Sequence, residues 1–264
     1  MGGSQTGMGG LFGSGGFGDS GAGGTTPDIQ DLGADIQAGM GITFDQVKAS
    51  EVVLISELLD DSGSIRFGGN AQIVRDGHNL IVDSLKKTKQ KNGILMTCRM
   101  LNSGLLFPFT LIENATLLDQ HNYNPGGGTP LYDESVLLLD TAFAKWEQSE
   151  ADGIPGRTIN IIVTDGNDEG SRQYRAPDVS ERVRKMLKKS ERHIVTAMGI
   201  DDGQTDFRVI FKAVGIPDEW ILTPKNTESE IRKCFAMLSQ SAVRASQNAT
   251  SFSKVALGGL GTTP

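Results

Sequence analysis

From residue 51 onward the chain alternates between two hydrophobic rhythms. Residues 52–59 form a near-unbroken apolar run, Val-Val-Leu-Ile-Ser-Glu-Leu-Leu, the pattern of a strand buried on both faces. Ile73, Val74, Leu80, Ile81 and Leu85 then recur at helical spacing. Residues 94–101 and 105–112 read as two strands joined by Asn102-Ser103-Gly104, a turn short enough to predict an antiparallel hairpin at a sheet edge. Leu139, Phe143 and Trp146 share one face of a helix over 132–146. A β-rich run at 159–164 follows, then an amphipathic helix marked by Val183, Met186 and Leu187. A strand over 194–200 and a helix over 207–214 come next, the helix stopped by Gly215-Ile216-Pro217. A short strand at 220–222 and a last helix over 228–239 close the series. Strands alternating with helices imply βαβ units with right-handed crossovers. The predicted fold class is α/β: a doubly wound, mainly parallel sheet with one antiparallel edge hairpin and helices on both faces.

Outside this region the rhythm fades. Residues 1–26 are dominated by Gly, Ser and Thr, too poor in apolar surface to offset chain entropy, and read as a flexible tail. Met8, Leu11, Phe12 and Phe17 are spaced through it, so it could also add to a partner surface. Residues 27–50 read as a linker or short helix, with Ile29, Leu32 and Ile36 at spacings of three and four. The ordered domain is expected over 51–241. Residues 242–264 turn small and polar and read as a second tail.

The chain has 264 residues, enough for a sizeable core, and a net charge of −7. That charge opposes bulk attraction to nucleic acid or anionic membrane. Its two cysteines, Cys98 and Cys234, fall in strand-like and helix-like runs and read as buried free thiols rather than a disulfide framework. The start Met1-Gly2-Gly3-Ser4 does not resemble a secretory signal, and no apolar run approaches a membrane span, so a cytoplasmic location is expected.

Three separated pieces carry the chemistry. Asp60-Asp61-Ser62-Gly63-Ser64 follows the first strand, Gly127-Gly128-Thr129-Pro130 precedes a helix, and Asp165 ends the run at 159–164. They supply two carboxylates and three hydroxyls, all hard oxygen donors of the kind Mg²⁺ prefers. Asp60 and Asp165 both sit where parallel strands should end, which is where open α/β sheets bind ligands. Alone, each piece has an ordinary reading: Asp and Ser cap helices after strands, and Gly-Gly-Thr-Pro makes turns. Their order and contexts agree.

On these pieces the chain resembles the von Willebrand factor A (vWA) family, whose metal-ion-dependent adhesion site (MIDAS) they match over roughly residues 51–241. The resemblance implies a Rossmann-like fold. It also implies that Ser62, Ser64 and Thr129 offer hydroxyl oxygens to a metal, while Asp60 and Asp165 supply charge, often through water. The metal would be Mg²⁺, with Mn²⁺ or Ca²⁺ as alternatives, and a partner's carboxylate would fill the remaining position. Two residues depart from the family pattern: Glu57 lies inside the buried strand, and Ile65 stands where methionine is common.

Other chemistry is weaker. His78, His121 and His193 lie in no recognisable catalytic motif, and no nucleophile elbow or Walker loop occurs. Asp133 and Glu134 suit the first turn of a helix. Asp168 and Glu169 could deepen the potential around the metal or form a solvated loop. Arg182, Arg184, Lys185, Lys188, Lys189 and Arg192 read as a solvated helix face or a docking patch, without the interleaved aromatics that would favour RNA. The expected function is a non-enzymatic, metal-dependent protein-binding module. By resemblance to intracellular bacterial members, it would work in a stress or defence assembly with an AAA+ ATPase, kinase or phosphatase. The alternative is a metal-dependent phosphatase of the aspartate-nucleophile type, although Ser62 stands where such an enzyme carries a second carboxylate.

Overall fold

A computed structural model describes residues 32–247. The Gly-rich segment 1–26 and the end of the C-terminal segment lie outside them. Six strands form one sheet: β1 (Val52–Leu59), β2 (Ile94–Met100), β3 (Gly104–Leu111), β4 (Gly156–Thr164), β5 (His193–Gly199) and β6 (Ile221–Leu222). Their order is β3-β2-β1-β4-β5-β6, with every neighbour pair parallel except β2 and β3. The expected mainly parallel sheet with an antiparallel edge is therefore present. Pro108 sits on edge strand β3 where the pairing with β2 shifts register, a place that asks no ladder hydrogen bond of it.

Among the described residues seven α-helices accompany the sheet: α1 (Leu32–Met40), α2 (Gly63–Phe67), α3 (Ala71–Lys86), α4 (Leu131–Ala151), α5 (Ala176–Lys189), α6 (Phe207–Ala213) and α7 (Glu228–Gln247). Strand alternation sorts the central residues between two cores. Val53, Ile55 and Leu59 pack with Val74 and Ile81 of α3 and with Ile231 and Phe235 of α7. Val52, Leu54 and Leu58 pack with Leu138 and Phe143 of α4, Val183 of α5 and Phe211 of α6. Both faces are covered, which is why all eight residues of β1 are buried.

Two boundaries and one side chain differ from the sequence reading. Helix α7 continues eight residues past 239, because Ala242 and Ala245 prolong the buried face of Ile231, Phe235 and Leu238. These small residues sit among polar ones, so composition hid their spacing. Residues 32–50 pack on the domain: Phe44 and Val47 are buried, Ile42 N–H donates to Phe109 O at 2.9 Å, and the Lys145 ammonium donates to Ile42 O. Leu80, one of the apolar residues recurring at helical spacing, is 42% exposed.

The connectivity creates an opening. From β1 the chain moves to β2 on one side, and from β4 it moves to β5 on the other. The loops leaving β1 and β4 therefore diverge, and their strand ends flank a crevice at the topological switch point.

Candidate metal centre at the switch point

Asp60 follows β1 directly and Asp165 follows β4, so the parallel register of these strands brings the two loops together. Asp60 is fully buried. Its Oδ1 accepts the Ser62 N–H at 2.7 Å, and its Oδ2 accepts the Thr164 hydroxyl at 2.6 Å and the Asp165 N–H at 3.3 Å. The Tyr123 hydroxyl donates to its backbone carbonyl. These donors hold the carboxylate in place, and burial outweighs them to raise its pKa.

The hydroxyls extend outward from this anchor. Ser62 Oγ and Ser64 Oγ are 2.8 Å apart, and Ser64 Oγ donates to Asp165 Oδ1 at 2.5 Å. Burial lifts the Asp165 pKa to about 6; the Ser64 hydrogen bond opposes the rise and the Asp60 charge adds to it. Thr129 arrives from the separate Gly-rich loop. A Cβ placed on Gly166 would lie 3.4 Å from Thr129 Oγ1 and 3.9 Å from Ser64 Oγ. A side chain at Gly166 would thus enter space that faces these two hydroxyls. All five expected ligands are gathered at one crevice, and an all-oxygen donor set of this kind fits a hard divalent cation.

The supporting contacts were not visible in the sequence. Asp61 points away from the ligands. Its carboxylate accepts the Asn102 N–H at 2.7 Å, the Ser103 N–H at 3.0 Å and the Ser103 hydroxyl at 2.6 Å, which ties the β2–β3 turn to the end of β1. Its carbonyl accepts the Gly126 N–H at 2.7 Å, while the Asn102 amide donates to Gly128 O at 2.9 Å. Gly127 between them has φ of +99°, and a Cβ there would sit 2.5 Å from Asn102 Oδ1. Only glycine meets both conditions.

Asp133 and Glu134 are structural, through partners rather than through the helix dipole alone. Asp133 accepts the Arg172 and Tyr174 N–H groups, each at 2.7 Å, fixing the loop after β4. Glu134 pairs with Arg99 at 2.9 Å in a buried bridge. Asp168 accepts the Ser171 hydroxyl at 2.5 Å and Tyr132 N–H at 3.2 Å, and the Glu169 N–H donates to Thr129 O at 2.9 Å. Both residues of the acidic loop therefore brace the threonine loop. In the basic cluster, whose Arg192 lies beyond the end of α5 in the turn before β5, Arg182 reaches Asp140, Arg192 reaches Glu150, and Lys185 Nζ lies 4.0 Å from the Phe143 ring centroid. Three of its six cations thus have intramolecular partners of these kinds. Cys98 and Cys234 are free and buried.

No protein-family model and no curated protein sequence matches the chain. Solved structures do. The pilus adhesin SpaC from Lactobacillus rhamnosus GG is 14% identical, with a TM-score of 0.54 over 75% of this chain and 31% of its own. Proximal thread matrix protein 1 from the mussel byssus, determined with a zinc-occupied MIDAS motif, is 19% identical, with a TM-score of 0.50 over 72% of this chain and 48% of its own. The SpRpn10 VWA domain is 9% identical, with a TM-score of 0.47 over 71% of this chain and 95% of its own. This chain spans about a third to a half of the length of the first two. At these identities the likeness is one of fold, and the fold is vWA-like.

Proposed function

We propose that this vWA-like domain is a metal-dependent protein-binding module. Asp60, Ser62, Ser64, Thr129 and Asp165 would hold Mg²⁺, or Mn²⁺ or Ca²⁺ in its place. An Asp or Glu of a partner protein would complete the coordination shell. The observation that carries this reading is the chain of oxygens from Ser62 through Ser64 to Asp165, set at the switch point beside the side-chain-free Gly166. A bound cation supplies positive charge at the mouth of an acidic crevice, which makes a carboxylate the matching ligand. The zinc-occupied MIDAS motif of the mussel protein supports such chemistry on this fold. The further proposal, from the resemblance to intracellular family members, is a cytoplasmic stress or defence assembly whose partner is an AAA+ ATPase, kinase or phosphatase.

The geometry around Asp60 supports a binding role over phosphoryl transfer. A nucleophilic carboxylate needs an oxygen open to in-line approach, whereas Asp60 is fully buried with both oxygens accepting hydrogen bonds.

Thr129→Ala tests the reading. Ser62, Ser64 and Asp60 lie on one short loop, while Thr129 comes from another. The substitution should therefore weaken partner capture more than it weakens Mg²⁺ binding, as expected if ligand and loop position are coupled. Calorimetry gives the metal affinity, and capture from the source lysate with and without chelator gives the partner arm. Capture by the wild-type protein that survives chelation would sink the metal-bridged mechanism.

A further inference from the structure

A second cluster of metal-ligating side chains lies inside the domain. Glu57 of β1, His78 of α3 and Cys98 of β2 each offer one ligand atom, and these atoms lie within 4.8 Å of one another. The fold explains their meeting. Glu57 and Cys98 are register partners on adjacent parallel strands, and their side chains join the face that α3 covers. All three residues are fully buried.

The polar groups are incompletely satisfied. His78 Nδ1 lies 2.5 Å from Glu57 Oε2, and His78 Nε2 lies 2.9 Å from Thr116 O. A carbonyl can only accept, so Nε2 carries a proton and Nδ1 faces the cluster. Glu57 Oε1 has no hydrogen-bond partner despite complete burial. An orphaned carboxylate oxygen in an apolar core is costly. Burial alone would lower the His78 pKa, but the charge and hydrogen bond of Glu57 raise it overall; burial pushes the Cys98 thiol well up. The 2.5 Å contact places one proton between His78 Nδ1 and Glu57 Oε2, and burial keeps the neighbouring Cys98 thiol protonated.

We propose that Glu57, His78 and Cys98 form a structural Zn²⁺ site, separate from the oxygen-only centre at the switch point. The donor set is suited to Zn²⁺: one thiolate, one imidazole and one carboxylate. His78 already has the supporting contact typical of a zinc-bound imidazole, its distal N–H on a backbone carbonyl. The charges balance. Binding releases the Cys98 thiol proton and the proton shared by Glu57 and His78, so Zn²⁺, one thiolate, one carboxylate and a neutral imidazole replace a neutral cluster with another of zero net charge. Tetrahedral zinc holds its ligand atoms roughly 3.3–3.8 Å apart. The Glu57–His78 contact would open by about 1 Å, and no pair would have to close by more than about 1.5 Å. The ion would clamp α3 to β1 and β2.

Co²⁺ reports a thiolate ligand directly, because sulfur-to-cobalt charge transfer absorbs in the near ultraviolet and oxygen ligands do not produce that band. The full chain carrying Cys234→Ser would be refolded from denaturant with Co²⁺ and excess Mg²⁺, which removes both the other thiol and any barrier to entry. We expect the band at one Co²⁺ per chain. In an Asp60→Ala background, Zn²⁺ should still raise Tm by several degrees, and Cys98→Ser should abolish the band and weaken Zn²⁺ binding by more than about a hundredfold. A natively refolded Cys234→Ser protein without the band would overturn the proposal and leave Glu57 and His78 as a buried hydrogen-bonded pair. So would a band that survives Cys98→Ser. The Asp60→Ala arm keeps either result independent of the switch-point centre.

Discussion

The two ends of the sheet handle most of their polar groups differently. At the amino-terminal ends of β4 and β5, charge meets charge and rings fill the space. Arg157 bridges to Glu51 at 2.7 Å, and His193 packs edge-on against Trp146 at 4.6 Å between centroids while holding the Thr158 hydroxyl at 2.9 Å. At the carboxyl-terminal ends, Asp60, Asp61, Asp133 and Asp165 are answered by backbone N–H groups and hydroxyls. Among the described residues none of these four carboxylates makes an ion pair. Neutral donors fix their positions without cancelling their charge, which leaves the field available to a cation. At one end charge is paired with charge; at the other these four carboxylates keep their charge, although Asp61 and Asp133 also brace loops and their neighbour Glu134 is paired with Arg99.

The contrast breaks most sharply at Asp60. Asp60→Ala should abolish Mg²⁺ or Mn²⁺ binding in a calorimetric titration while unfolding stays cooperative, because the proposed site loses a carboxylate and the core below is untouched. A mutant that binds metal as tightly as wild type would show that the charge at this end is not assembled for a cation.

The opposite end predicts a pH effect without a metal effect. Burial, with help from the charges of Arg192 and Lys189, lowers the His193 pKa to about 4. The unfolded chain then binds a proton between about pH 6.5 and 4 that the native state excludes. Stability from this residue is present above about 6.5 and is lost as pH falls towards 4, by up to about 3 kcal/mol. Urea midpoints measured from pH 7 to pH 4.5 should fall less steeply in His193→Gln than in wild type, with Mg²⁺ affinity at neutral pH unchanged. Parallel slopes would rule out a neutral buried histidine.

Asp61 sharpens the comparison at its finest grain. Asp61→Ala removes the ties to Asn102 and Ser103 but no expected ligand. Metal affinity should fall by about tenfold, as is usual when a supporting contact to a ligand loop is lost. An affinity equal to wild type would mean that the β1 loop holds its shape without the hairpin.

Much of the carboxyl-terminal end was legible because its expected ligands stand next to strand ends. The apolar run of β1 points to Asp60, the run of β4 points to Asp165, and Ser62 and Ser64 follow at fixed spacing. The fold was legible for the same reason: periodicity is local. What stayed hidden were partnerships across long separations. Nothing near Asp61 announces Asn102, and nothing near Glu57 announces His78, so the glutamate read as an intruder in its strand. The tail of α7 was hidden differently, since Ala242 and Ala245 carry a helical period with too little side chain to stand out.

The hydrogen bond from Ser64 to Asp165 closes a span of 101 residues. That span has a consequence for synthesis. A nascent chain has a serine loop early and a threonine loop later, but no second charged arm until Asp165 has left the ribosome. Even then the arm is out of reach until β4 inserts between β1 and β5. The proposed five-residue chelate therefore cannot assemble on a truncated product lacking β4, and the proposed recognition would belong only to chains translated and folded past that point.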